Sequence, residues 1–115
     1  MAIAQTEKRN YTIEEYLDFE VNSDQRHEYI NGEITQMTGG TPEHNEISSI
    51  FNAILRMALK GKPYSIFVAD QRLWIPDRNL YTYPDAMVVP RPIQLQSGRT
   101  DTITNPLAIA EVLSK

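Results

Sequence analysis

Only one stretch of this chain sustains a long helical period, and nearly everything after it reads as strand. Ile47, Ile50, Phe51, Ile54, Leu55 and Ala58 recur at spacings of three and four, the mark of one apolar helix face. Thr41-Pro42 offers a cap followed by a first-turn proline, and Gly61 a stop. Beyond Pro63 the pattern turns to β, with strands expected over Tyr64–Ala69, Gln71–Ile75 and Leu80–Val89. Residues 90–106 read as a long loop, and Leu107–Leu113 as a last apolar strand carrying one charge, Glu111. One long helix with this many strands implies a mixed α/β (α+β) fold.

The last strand sharpens the constraint. A strand apolar on both faces belongs in the middle of a sheet, covered by helices on two sides. One long helix cannot cover both, so the C-terminal part of the fold is expected to be missing, or a partner chain to supply it. Ahead of the long helix, Thr12 and Glu15 make a capping box in which each side chain takes the other residue's free backbone N–H. Ile13, Tyr16 and Leu17 give that short N-terminal helix a face to bury. The segments His27–Ile30 and Glu33–Met37 flank Asn31-Gly32, which accepts positive φ at both turn positions and so predicts a β-hairpin.

With 115 residues, 41% hydrophobic and 23% charged, the composition is that of one small globular domain. Residues 1–10 read as a flexible arm and 11–115 as a single domain, incomplete at the C-terminus. The absence of cysteine excludes thiolate zinc sites and a cysteine nucleophile, and fits a reducing, cytoplasmic setting. No apolar run approaches the ~20 residues of a membrane span. The net charge of −4 divides unevenly: residues 1–46 hold ten acids and three bases, residues 47–115 five acids and eight bases.

The sharpest chemistry lies in two acids. Pro84-Asp85 interrupts one apolar stretch and Glu111 another, and a carboxylate there is costly unless neutralised or coordinated. Two such acids on neighbouring strands suit a hard divalent cation, which takes oxygen ligands and keeps waters; each acid could equally cap a strand end or pair with an arginine. Side-chain alternation sets Asp85 with Tyr83 and Met87, and Glu111 with Ile109 and Leu113. His44 falls three residues before Ile47, on the side of the long helix expected to face the sheet through Ile47, Phe51 and Ile54. Taken alone, it reads as a core or capping residue. Asp70 reads as a turn or ion-pair residue, and Trp74, Tyr64, Tyr81 and Tyr83 as core residues rather than base-stacking ones.

The runs Tyr11–Leu17, Arg26–Ile34 and Met37–Pro42 with His44-Asn45, followed by Tyr83-Pro84-Asp85 and Glu111–Ser114, together resemble the bacterial Uma-two family of putative restriction endonucleases. The resemblance covers nearly the whole chain from Tyr11 onward. It implies a restriction-endonuclease-like core of the PD-(D/E)xK nuclease superfamily, a central mixed sheet flanked by helices, acting on DNA with Mg²⁺ or Mn²⁺. By those motifs, Asp85 matches the PD aspartate and Glu111 the second acid, and the carbonyl of Val112 joins them as a metal ligand. His44 matches a polar position near the site, and Asp70 a recurrent accessory one. The superfamily lysine would fall two residues after Glu111, where this chain has Leu113; Lys115 lies ~13 Å from Glu111 along an extended strand. Two readings follow: a Mg²⁺-dependent endodeoxyribonuclease, or a catalytically silent nuclease-fold module that works by binding or homodimerisation.

Overall fold

Helix α1 (Ile13–Val21) starts where its capping box closes. In this computed structural model, which describes residues 10–113, Thr12 Oγ1 accepts the Glu15 N–H at 3.1 Å and Glu15 Oε1 accepts the Thr12 N–H at 2.9 Å. The arm ahead of residue 10 lies outside the described residues. The chain divides into two compact units, one of residues up to Thr38 with Trp74–Thr82, the other of Gly39–Leu73 with the chain from Tyr83 onward.

The first unit is held by a tyrosine core. Strands β1 (His27–Ile30) and β2 (Glu33–Gln36) pair antiparallel about Asn31 (φ 48°) and Gly32 (φ 91°), as the Asn-Gly signal predicts. A short 3₁₀ turn, Pro76–Arg78, leads into β5 (Leu80–Thr82), which pairs antiparallel with β1 and sets Tyr81 opposite Tyr29. Tyr11, Tyr16, Tyr29, Ile34 and Tyr81 form the buried cluster, with Ile13, Leu17 and Trp74 against it. Buried phenols need partners. Tyr16 donates to the His27 carbonyl at 2.6 Å and Tyr29 to the Tyr11 carbonyl at 2.7 Å. Trp74 stacks on Tyr81 at 4.1 Å, so both are packing residues. Burial raises the Tyr29 pKa, and the carboxylates of Glu14 and Glu15 add to the effect.

The second unit carries the long helix, α2 (Pro42–Ala58), capped by Thr41 through a bond to the His44 N–H. It ends at Leu59, ahead of the expected stop, and Gly61 takes positive φ (79°) in the turn beyond. Strands β3 (Tyr64–Val68), β6 (Ala86–Pro90) and β8 (Ala108–Ala110) form an antiparallel sheet in the order β3-β6-β8. Arg72 and Leu73 of β4 (Arg72–Ile75) pair in parallel with β7 (Thr102–Ile103), so the β structure is mixed.

Four expectations change. The single strand expected over Leu80–Val89 is two strands, because Pro84 lacks a ladder N–H and restricts the residue before it. The expected loop 90–106 contains β7, whose two residues are too few to leave a period. The last strand spans only Ala108–Ala110 and lies at the edge of its sheet, with Leu107, Ile109 and Leu113 exposed. The fourth change concerns α2. Ile47, Ile50, Phe51, Ile54 and Met57 are exposed, and the half-buried side chains are His44, Ser48, Asn52, Leu55 and Leu59. The more polar stripe, not the apolar one, is the more enclosed.

Candidate functional site

A cavity of about 270 Å³ opens where the first half of α2 passes the end of β3, lined by His44, Asn45, Ser48, Asn52, Val68 and Asp85 among others. Each side chain owes its place to a local backbone feature. Asp85 precedes β6 directly, so it stands at the mouth of the sheet rather than within it. His44 is the third residue of α2, and its ring fits because residue 40 is glycine. A Cβ built on Gly40 would come within 2.5 Å of His44 Nδ1 and 2.8 Å of Cγ.

Two groups converge on one oxygen. His44 Nε2 lies 3.2 Å from Asp85 Oδ2, and the Val112 N–H donates to the same oxygen at 2.7 Å. Oδ1 has no hydrogen bond among the described residues. His44 and Asp85 are each mostly enclosed, with side chains 15% and 19% exposed. The arrangement presents one Asp85 oxygen anchored by a backbone amide and one without a hydrogen bond among the described residues.

Glu111 lies one residue beyond β8, is exposed and has interactions of its own. The β6–β8 register sets Ala86 opposite Ala110; carried one residue outward, it sets Asp85 opposite Glu111. The structure thus brings His44, Asp85 and Val112 together, with Glu111 adjacent in register. Asp70 sits in the exposed turn after β3, and its neighbour Ala69, not Asp70, lines the cavity. Leu113 is 92% exposed, and Lys115 lies outside the described residues.

Among the described residues, no group of three or more His, Cys, Asp or Glu is arranged to hold a metal. Mg²⁺ does not require one: it binds through one or two carboxylates and retains waters. Asp85 and Glu111 offer carboxylate oxygens at adjacent register positions, the oxygen chemistry such an ion takes, and Asp85 Oδ1 has no hydrogen bond among the described residues.

The sequence reading did not single out Ser48 and Asn52. They follow His44 at i+4 and i+8 on one face of α2, and both line the cavity. His44 Nδ1, Ser48 Oγ and Asn52 Oδ1 are all buried with no hydrogen-bond partner among the described residues. Buried polar atoms without partners are uncommon in folded proteins. The available signal was the polar 44-48-52 spacing, hidden beside a stronger apolar one.

Arg72 is a second buried polar centre. It is 6% exposed, and it donates to Thr102 Oγ1 and the Tyr83 hydroxyl at 2.9 and 3.2 Å. It also pairs with Asp101 at 3.0 Å. Arg99 hydrogen-bonds Asp101 from the other side and, with Thr102 and Arg72, brings its pKa down to about 2. This cluster ties β4 to β7 and is structural.

The fold is shared with a solved structure. The chain superposes on a protein from Anabaena variabilis, described as a putative nuclease belonging to DUF820, with a TM-score of 0.64 and 21% identity, over 85% of this chain and 54% of that one. Residues 13–115 match the family model Uma2, described as putative restriction endonuclease, and the chain belongs to that family. It is also similar to two uncharacterized proteins of Synechocystis sp. One, sll1609, is 37% identical over 90% of this chain and 58% of its own length; the other, slr1290, is 36% identical over 88% and 52%. The chain therefore spans a little over half the length of these relatives. No helix among the described residues is long and apolar enough to cross a membrane.

Proposed function

We propose that this chain carries the acidic centre of a Mg²⁺- or Mn²⁺-dependent endodeoxyribonuclease that hydrolyses DNA phosphodiester bonds. The observation that carries the reading is the convergence of His44 and the Val112 N–H on Asp85 Oδ2, beside a cavity lined by His44, Ser48 and Asn52. Asp85, Glu111 and the Val112 carbonyl would hold the divalent ion. Such an ion supplies a water of lowered pKa and neutralises charge on the phosphate.

The chain's own residues set the geometry. The Val112 amide anchors one Asp85 oxygen and leaves the other for the ion. His44, held against Asp85 through Nε2, would position the Asp85 carboxylate and hold a proton at that oxygen. Ser48 and Asn52 supply a donor and acceptors deeper along the same face.

The test is cleavage of supercoiled plasmid by the purified chain with Mg²⁺ or Mn²⁺, beside Asp85→Asn and Glu111→Gln. Metal-dependent nicking lost in both variants supports the reading; no cleavage by the wild-type chain overturns it for this chain. A silent module acting by self-association is the second reading, favoured by the exposed Ile47, Ile50, Phe51, Ile54 and Met57 on α2 and by Leu113 at the superfamily lysine position. Sedimentation at micromolar concentration decides between a homodimer and a monomer.

A further inference from the structure

A second cavity, of about 580 Å³, lies at the opposite end of the α2–β3 seam, and its charged lining is entirely basic: Arg56 and Lys60 from the end of α2, Lys62 before β3, and Arg91 just after β6. All four are exposed, in a chain whose net charge is −4. Cations at a helix C-terminus are favoured by the helix dipole, which accounts for Arg56 and Lys60. It does not account for Lys62 or Arg91, which come from other segments. Two of the four are also held in place. Arg56 donates to the Ile66 carbonyl at 3.1 Å, and Arg91 Nε donates to Ser65 Oγ at 3.0 Å. Each guanidinium keeps further N–H donors for a ligand, in the planar fork that matches phosphate oxygens.

The two cavities are ends of one seam. Val68 and Asp85 line the first, Tyr64 and Arg91 the second, while α2 and the turn after it run past both from His44 to Lys60. Twelve helical residues from His44 to Arg56 rise about 18 Å. Six extended residues from Asp85 to Arg91 span about 20 Å. At ~3.4 Å per phosphate along one strand, that distance is about five or six nucleotide steps.

We propose that the Arg56–Lys60–Lys62–Arg91 cavity anchors the DNA phosphodiester backbone about five or six nucleotides from the bond held at Asp85. The inference rests on the nuclease reading for the identity of the polyanion. The anchor works as an electrostatic clamp: it neutralises phosphates, releases counterions and carries no sequence preference.

The experiment is equilibrium binding of a fluorescein-labelled 20-base-pair duplex in metal-free buffer, followed by anisotropy across a salt series. Lys60→Glu with Lys62→Glu is compared with the wild-type chain and with Arg78→Glu, an exposed charge reversal in the other unit; circular dichroism confirms folding. The expected result is a roughly tenfold or greater loss of affinity, and a salt slope reduced by about two, since each phosphate contact contributes ~0.9. Lys60→Gln with Lys62→Gln should show the same fall in slope with a smaller loss of affinity. An unchanged slope in both double variants overturns the anchor, even if the chain cleaves DNA. A reduced slope beside a wild-type chain that never cleaves with Mg²⁺ or Mn²⁺ supports the anchor and overturns the nuclease reading instead.

Discussion

His44 Nε2 and Asp85 Oδ2 lie 3.2 Å apart across 41 residues of sequence. The contact exists because α2 begins and β6 begins at the same end of their seam. If it serves chemistry, Asp85→Asn should reduce metal-dependent cleavage at least ~10³-fold, and His44→Ala roughly 10²-fold, within the range for a lost acid–base or orienting group. Initial rates on supercoiled plasmid check both. Equal rates for wild type and His44→Ala would leave the histidine a structural role only.

Gly40 offers an independent handle on the same histidine. A methyl group there collides with the imidazole and not with the backbone of another element, so Gly40→Ala should displace the ring while the fold persists. Cleavage is expected to fall about as far as in His44→Ala, with thermal stability within ~1 kcal/mol of wild type. Activity assays paired with calorimetry read this out; full activity in Gly40→Ala would show that the ring position does not matter.

Ser48 and Asn52 separate function from stability in the opposite sense. A buried polar atom without a partner costs about 1–3 kcal/mol, so Ser48→Ala and Asn52→Leu should leave the melting temperature unchanged or raise it. Both should weaken cleavage if the row meets substrate. A lowered melting temperature with unaltered activity would mark them as ordinary packing residues.

Asp101 gives the fold a pH dependence. Its folded pKa, about 2, lies below the ordinary 3.8, so its contribution is present above pH 3.8 and disappears as pH falls toward 2. Denaturant titrations between pH 7 and 2 should show that loss, and Asp101→Asn should flatten it. At neutral pH the same variant leaves Arg72 buried without its carboxylate. The cost should be about 2 kcal/mol, below that of a fully buried pair because the Asp101 side chain is 49% exposed.

The apolar face of α2 predicts association. Phe51→Glu with Ile54→Lys adds two charges to side chains that are already exposed, so it should not unfold a monomer. It should shift sedimentation at micromolar concentration from dimer to monomer. A wild-type chain that sediments as a monomer at every concentration would remove the homodimer.

Local features of this chain were legible because they depend on neighbours in sequence. The Thr12–Glu15 box, the Asn31-Gly32 turn and the Thr41-Pro42 cap are backbone hydrogen-bonding and φ requirements, which a few consecutive residues can meet. The acids Asp85 and Glu111 stood out because a charge among apolar residues carries a cost wherever it lies. Which side of α2 is more enclosed was decided only by tertiary structure. Periodicity identifies an apolar face but not what meets it, and here the apolar residues are exposed while His44, Ser48 and Asn52 line a cavity. The Arg72–Asp101 clamp and the two-ended seam were invisible for the same reason: their members are brought together by strand pairing across tens of residues, and no spacing rule in the sequence records it.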